Sequence, residues 1–529
     1  MSLFPMNARG MRVRLMQTMA AVAAAGMISG CGSNYRPVVT PINPSGPAAQ
    51  PQSLAVVISS PSPATSAPGV ATIIDYSGDS IVAQSPIGPA PIAFSLDANG
   101  VTGYTVNSDG TLTNFPASNQ LQQKNITFST LPASAQSVGL FSPSAGLWVA
   151  DLNGNVVDSL TGSPETFKLA IPVAPTPVAV VGLGTLGQHN YSISLNNTST
   201  PAGSALAYDT TCNLSPSTAT QTGEADSLET ATFTVSARLP LGKCPVYGIQ
   251  SPDGRRLFVL NRGSDTISVI NSQLNTLDAC TPFTNQNGQP VTCHPCLPLS
   301  ASAVGTDNPT APPGSTTGSC LEQAGSNLQT SGLAGPVYGE YIPATQELIV
   351  SNYDGNTISL IDVSLDQYGN DSPTFGTTYT IPVGVNPASV TALADGTRAY
   401  TANQTDGTVT IVNLNSHTVE KTLTVTGNPR TVVSTENSLF GKVYVASPNS
   451  PYLTIIRTDE DIIDTTVLVQ GNIVDVRVST QNGSAGNANT TSRRPGAGQP
   501  CYLPPALETA TYGAAYTIAN CQTLPPPPQ

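Results

Sequence analysis

The chain has 529 residues, of which 10% are charged, 46 are glycine and 47 are proline, and its formal net charge is −13. Charges this sparse, against roughly a quarter of an ordinary soluble domain, combined with so many helix breakers exclude a coiled coil or a helical bundle. Between residues 37 and 237 only Lys124 and Lys168 stand against eleven acidic residues, so no cation cluster exists there to release counterions from a phosphate backbone, and nucleic acid is not expected as a partner.

The chain opens on a targeting segment. Arg9, Arg12 and Arg14 precede the apolar run 15–28, the positive and hydrophobic regions of an export signal. The run falls short of the roughly 20 apolar residues that span a bilayer. It ends in Ile28-Ser29-Gly30-Cys31, which resembles the lipobox of bacterial lipoproteins. That resemblance implies cleavage of residues 1–30 and lipidation of the Cys31 thiol. It places the mature protein in the cell envelope, outside the cytoplasm, anchored to a membrane (the outer membrane, or facing the periplasm). Residues 31–53 are Pro-rich and without periodicity, and read as a semi-extended tether.

From residue 54 onward, short strand–turn–strand runs recur: 103–115, 147–160, 257–271, 348–362, 399–413 and 443–457. Apolar residues alternate along them with period two, and most are interrupted by Asp-Gly, Asn-Gly or Gly-Ser, which supply the positive φ of tight hairpins. A further strand beginning near Pro or Gly precedes most of them, and Pro-Val-Tyr-Gly occurs identically at 245–248 and 336–339. Equivalent anchors fall at Tyr104, Trp148, Tyr191, Phe258, Ile349, Tyr400 and Tyr444, commonly about 44 residues apart. That is the period of a four-stranded propeller blade. The two longest intervals contain Ser/Thr/Pro-rich insertions near 196–230 and 272–335.

These motifs resemble the YVTN family of β-propeller repeats. Ser251-Pro252-Asp253-Gly254, followed by Leu257 to Asn261 and Thr266 to Asn271, is the nearest copy of that pattern; Asn352 and Asn403 fill the same asparagine position, and Asp362 and Asn413 the closing one. The resemblance implies an all-β propeller and carries no catalytic motif. Seven anchors, with further strands in 54–88, give eight blades, seven being the alternative. The strand within 472–480 is expected to complete the first blade and close the ring, removing the exposed edges that invite aggregation. The propeller then occupies 54–480, and 481–529 form an irregular Gly/Pro-rich tail.

Candidate chemical sites are few. Apart from Cys31 there are eight cysteines, Cys212, Cys244, Cys280, Cys293, Cys296, Cys320, Cys501 and Cys521, an even number that in an exported chain implies disulfides. Cys212–Cys244 and Cys501–Cys521 are the favoured pairs, with the other four stapling the 272–335 insertion. Cys293-His294-Pro295-Cys296 has the spacing of a redox pair or half a zinc site, but in a loop of an exported all-β chain structural disulfides account for it better. Gly182 to Gly187 match a dinucleotide fingerprint, but the following residues read as a strand, with no helix N-terminus for a pyrophosphate. The three histidines, His189, His294 and His417, lie in different repeats without an acid nearby in sequence. Asp151-Leu152-Asn153-Gly154-Asn155 begins like a calcium loop but lacks the glycine at position six and the later glutamate, so a hairpin turn is the simpler reading. No catalytic, cofactor-binding or metal residue is assigned and no cofactor is expected. The favoured function is an anchored binding or scaffold propeller with a protein or carbohydrate ligand on one face. The alternatives are a lactonase-type hydrolase, which needs converging Arg, His and acids, and a haem-binding propeller, which needs an axial histidine.

Overall fold

In the computed structural model the described residues lie between 54 and 479. Outside them are 1–53, 62–66, 98–99, 132–134, 141–145, 163, 183–188, 279–282, 285–289, 292–295, 298, 300–333, 366–370, 373, 436–440 and 480–529. Eight four-stranded antiparallel sheets form the blades of an eight-bladed β-propeller. Seven blades run in simple order from an innermost strand A to an outermost strand D. Blade 1 is composite: Leu54–Ser60, Pro68–Asp75 and Ile81–Pro89 supply its outer three strands, and Asn472–Val478 its innermost. Val57 pairs with Val476 and Ile58 with Asp475, so the ring is closed by both ends of the propeller sequence.

The repeat has a local cause at each corner. Strand A begins on proline in blades 2, 4, 5, 6 and 7 (Pro91, Pro177, Pro245, Pro336 and Pro387), and each is followed by a register shift. A proline is tolerated at a strand's first residue because its missing N–H interrupts no ladder. The residue before each has positive φ: Ala90, Thr176, Cys244, Gly335 and Asn386. This turns the chain from the rim of one blade to the axis of the next.

All seven sequence anchors lie on strand B, one per blade from 2 to 8. Three of them reach the C–D turn of the following blade. Trp148 stacks on Phe233 at 5.6 Å, the Tyr191 hydroxyl donates to Asn275 Oδ1 at 2.8 Å, and the Tyr400 hydroxyl donates to Asp461. Basic residues opening strand B make a second clasp to the same turns. Arg256 pairs with Asp371 at 2.8 Å, Arg398 with Asp461, and Lys442 with Asp79 of blade 1. Neighbouring blades are thus fixed in register by polar contacts at one end and by apolar packing along their faces. Among the described residues no helix is long and apolar enough to cross a membrane.

Candidate functional site

Because strands alternate in direction, the B–C hairpins and the D-to-A connections emerge on one face of the ring, and the A–B and C–D turns on the other. The first excursion, 195–223, lies between strands B (His189–Ser194) and C (Glu224–Glu229) of blade 4. The outer strand of blade 5 comes in two pieces, Thr276–Leu277 and Cys296–Leu297, both paired with Thr266–Asn271. The chain leaves between them at the rim, and after Leu297 departs again before entering blade 6 at Pro336. The blade 4 excursion and the connection that enters blade 6 at Pro336 therefore both meet the ring on the face of the B–C hairpins, most of that connection (300–333) lying outside the described residues.

Arg262, in the B–C turn of blade 5, links the blade 4 excursion to the B–C turn of blade 6. Its Nε and Nη2 donate to the two oxygens of Asp354 at 2.9 and 2.8 Å, and its Nη1 to Asn213 Oδ1 at 2.9 Å. The guanidinium lies over the Tyr353 ring, 5.0 Å from its centroid. Burial opposes the charge, but Asp354 outweighs it and holds the Arg262 pKa above its ordinary value. Beside it Asp265 accepts the Gly335 N–H at 2.7 Å, and burial pushes its carboxyl up to about 6. Only glycine fits at 335, since a Cβ there would lie 1.9 Å from Asp354 Oδ2. Cys212 and Cys244 are joined with an S–S distance of 2.05 Å, tying the blade 4 excursion to the start of blade 5. From Arg262 a buried polar chain continues round the face: the Tyr353 hydroxyl donates to Gln404 Oε1 at 2.9 Å, and Asn428 Nδ2 to the Gln404 carbonyl at 2.9 Å.

A second cluster occupies the axis. Arg477, on the closing strand, is fully buried and donates through Nε and Nη2 to Asp475 Oδ2 at 3.2 and 3.0 Å. Its charge also acts on Tyr338 and Tyr247, which come from blades 6 and 5 across the ring. Those tyrosines are the two copies of Pro-Val-Tyr-Gly, and their ring centroids are 4.9 Å apart. Glu340, two residues beyond Tyr338, accepts from Thr391 Oγ1 at 3.1 Å and the Ala392 N–H at 3.3 Å. Burial pushes its carboxyl up to about 8. The axis thus brings an arginine and two acids together, but sealed from solvent.

The sequence-derived candidates fall elsewhere. His189 opens strand B of blade 4 and pairs with Glu229 of the adjoining strand at 2.9 Å. His417 lies in the C–D turn of blade 7, its ring stacked 3.8 Å from that of Tyr379 on the outer strand of blade 6. Neither is on an innermost strand. The Cys296 backbone belongs to the outer strand of blade 5, whereas Cys31, Cys280, Cys293, His294, Cys320, Cys501 and Cys521 lie outside the described residues. Gly182 ends a strand that pairs antiparallel with His189–Ser194, Gly182 opposite Asn190, so the glycine pattern lies between two strands, its remaining residues 183–188 outside the described residues. The sequence reading missed Arg262, Arg477, Asp475 and Glu340. The available signal was charge inside otherwise apolar strands, as in Val474-Asp475-Val476-Arg477-Val478.

The geometry defines an eight-bladed propeller with the blade 4 excursion on the face of its B–C hairpins. No family model matches the sequence, and no curated protein matches it. Among solved structures the chain is similar to dihydro-heme d1 dehydrogenase NirN in complex with DHE (TM-score 0.52, 13% identity, 82% of this chain and 77% of that one). It is also similar to apo AztD from Citrobacter koseri (TM-score 0.48, 14% identity, 80% and 97%) and to Saccharomyces cerevisiae Sqt1 (TM-score 0.49, 10% identity, 73% and 87%). At these identities the likeness is one of fold.

Proposed function

We propose that this is a lipid-anchored cell-envelope propeller of YVTN-like repeats that binds a protein or carbohydrate ligand on the face carrying the blade 4 excursion. The observation that supports it is the blade 4 excursion, fastened over the face by the contact of Arg262 with Asn213 and by the Cys212–Cys244 bridge. Loops carried by a rigid scaffold are where recognition residues concentrate, and residues 198–205 of the first excursion are largely exposed. The sealed axis disfavours the hydrolase reading, since Arg477 and Glu340 do not meet solvent.

A thermal-shift panel of oligosaccharides, peptides and lactones tests the face. A ligand at about 100 times its Kd adds about 2.7 kcal/mol of stability. The shift is expected in the wild type, lost when 198–205 are replaced by a short Gly-Ser turn, and kept in an outer-strand variant such as Lys421→Glu. Turnover of a lactone, or a shift indifferent to the shortened loop, would overturn the reading. The anchor has its own test: Cys31→Ala is expected to fold normally and leave the membrane fraction. A variant still sedimenting with membranes at the wild-type level excludes lipidation at that residue.

A further inference from the structure

The hairpin between strands B and C is fastened alike in four blades. The asparagine ending strand B donates to hydroxyls of strand C: Asn261 to Thr266 and Ser268 at 3.2 and 2.9 Å, Asn352 to Thr357 and Ser359 at 3.0 and 2.8 Å, Asn403 to Thr408 and Thr410 at 3.0 and 2.7 Å. Asn107 does the same in blade 2 with Thr111 and Thr113.

Blade 3 keeps this register and changes the chemistry. Asp151 ends its strand B, pairing with Val156 as Asn261 pairs with Thr266, and Asp158 takes the place of Ser268. A donor–acceptor pair becomes two carboxylates, which have nothing to donate when ionised. Both are buried, Asp158 only 2% exposed and Asp151 7%. Asp151 Oδ1 accepts the Gly154 N–H at 3.0 Å. Asp158 Oδ2 is enclosed and, among the described residues, has no hydrogen-bond partner. A buried carboxylate oxygen is costly unless a donor or a cation meets it.

We propose that the blade 3 hairpin is a divalent-cation site, with Asp151 and Asp158 supplying its charged oxygens. Among the described residues no three His, Cys, Asp or Glu side chains converge to hold a metal. The shell therefore needs carbonyl, amide and water oxygens beside the two carboxylates, which suits a hard ion such as Ca2+ and not Zn2+. Enclosure of Asp158 Oδ2 is compatible with this, because oxygens about 2.3–2.6 Å from a cation leave no water-sized gap. This is not the loop suggested by residues 151–155 alone, since the second carboxylate is brought in by strand pairing.

The full chain, stripped with EDTA and returned to pH 7, is titrated with Tb3+ and separately with CaCl2. Trp148, the single tryptophan, lies on the same strand as Asp151 and can sensitise terbium emission. Saturable emission displaced by Ca2+ and a rise in Tm of several degrees with CaCl2 are expected. Asp151→Asn/Asp158→Ser, which restores the Asn–Ser pair of blades 5 and 6 (Asn261 with Ser268, Asn352 with Ser359), is expected to fold and lose both responses. If that variant does not fold, Asp158→Asn, neutral and of the same shape, replaces it. Absence of both responses in the wild type, or their survival in the folded variant, overturns the site.

Discussion

A chain lacking Asn472–Val478 is expected to lose its cooperative thermal transition and to aggregate, the largest effect any short deletion should have on this fold. The segment is the innermost strand of blade 1, and without it Leu54–Ser60 presents an unpaired edge. The deletion also removes Arg477 and Asp475 from the axis. Their share is separable. Arg477→Ala leaves Asp475, 2% exposed, without the guanidinium that holds it, and loss of one partner of a buried pair costs about 3–5 kcal/mol. The double variant Asp475→Asn/Arg477→Met removes both charges and should recover most of that loss. Denaturant melts of the three chains decide the matter. A deletion that melts like wild type would place closure elsewhere, and a double variant as unstable as Arg477→Ala would mean that shape, not charge, is what the axis requires.

The period, the blade number and the closing strand were legible because each blade repeats the same local chemistry. Tyr400 and Tyr444 hold the same strand position in adjacent blades, and Asn352 and Asn403 fasten equivalent hairpins, so a linear repeat maps directly onto a cyclic fold. The axial and facial clusters were not legible, for the opposite reason. Glu340 interacts with Arg477, 137 positions away and across the ring, and Arg262 with Asn213 through an excursion that follows no repeat. Such pairs exist only after closure, and no periodicity announces them. Blade 3 lies between these cases. Asp158 is conspicuous only when its register is compared with that of Ser268, Ser359 and Thr410, which requires the strand pairing and not the sequence alone.

Stability is expected to be greater at pH 5 than at pH 8.5, and Glu340→Gln should remove much of that difference. Among the described residues burial raises five carboxyls: Glu340 to about 8, Asp226 to about 7, Asp265 and Asp158 to about 6, and Glu347. In each case the folded protein keeps a proton that the unfolded chain releases near pH 4, so folding takes up protons across the interval. The stability these groups contribute is complete below the ordinary carboxylate range and declines as pH rises to each folded value. Asp75 runs the other way. Burial raises its pKa, but hydrogen bonds from Ser77, Gly78 and Ser80 outweigh that and lower it, so its contribution fails only under stronger acid. Glu340 carries the largest share of the decline because its folded value is highest, and at about 1.4 kcal/mol per unit the loss amounts to a few kcal/mol. Glutamine keeps the neutral shape, accepts from Ala392 and Thr391, and cannot ionise. Melts in EDTA from pH 5 to pH 9 should therefore converge for wild type and Glu340→Gln at the acid end and separate above pH 7, the variant being the more stable. Parallel profiles would show that Glu340 is ionised in the folded protein at neutral pH, with Arg477 paired to it across the axis instead of to Asp475 alone.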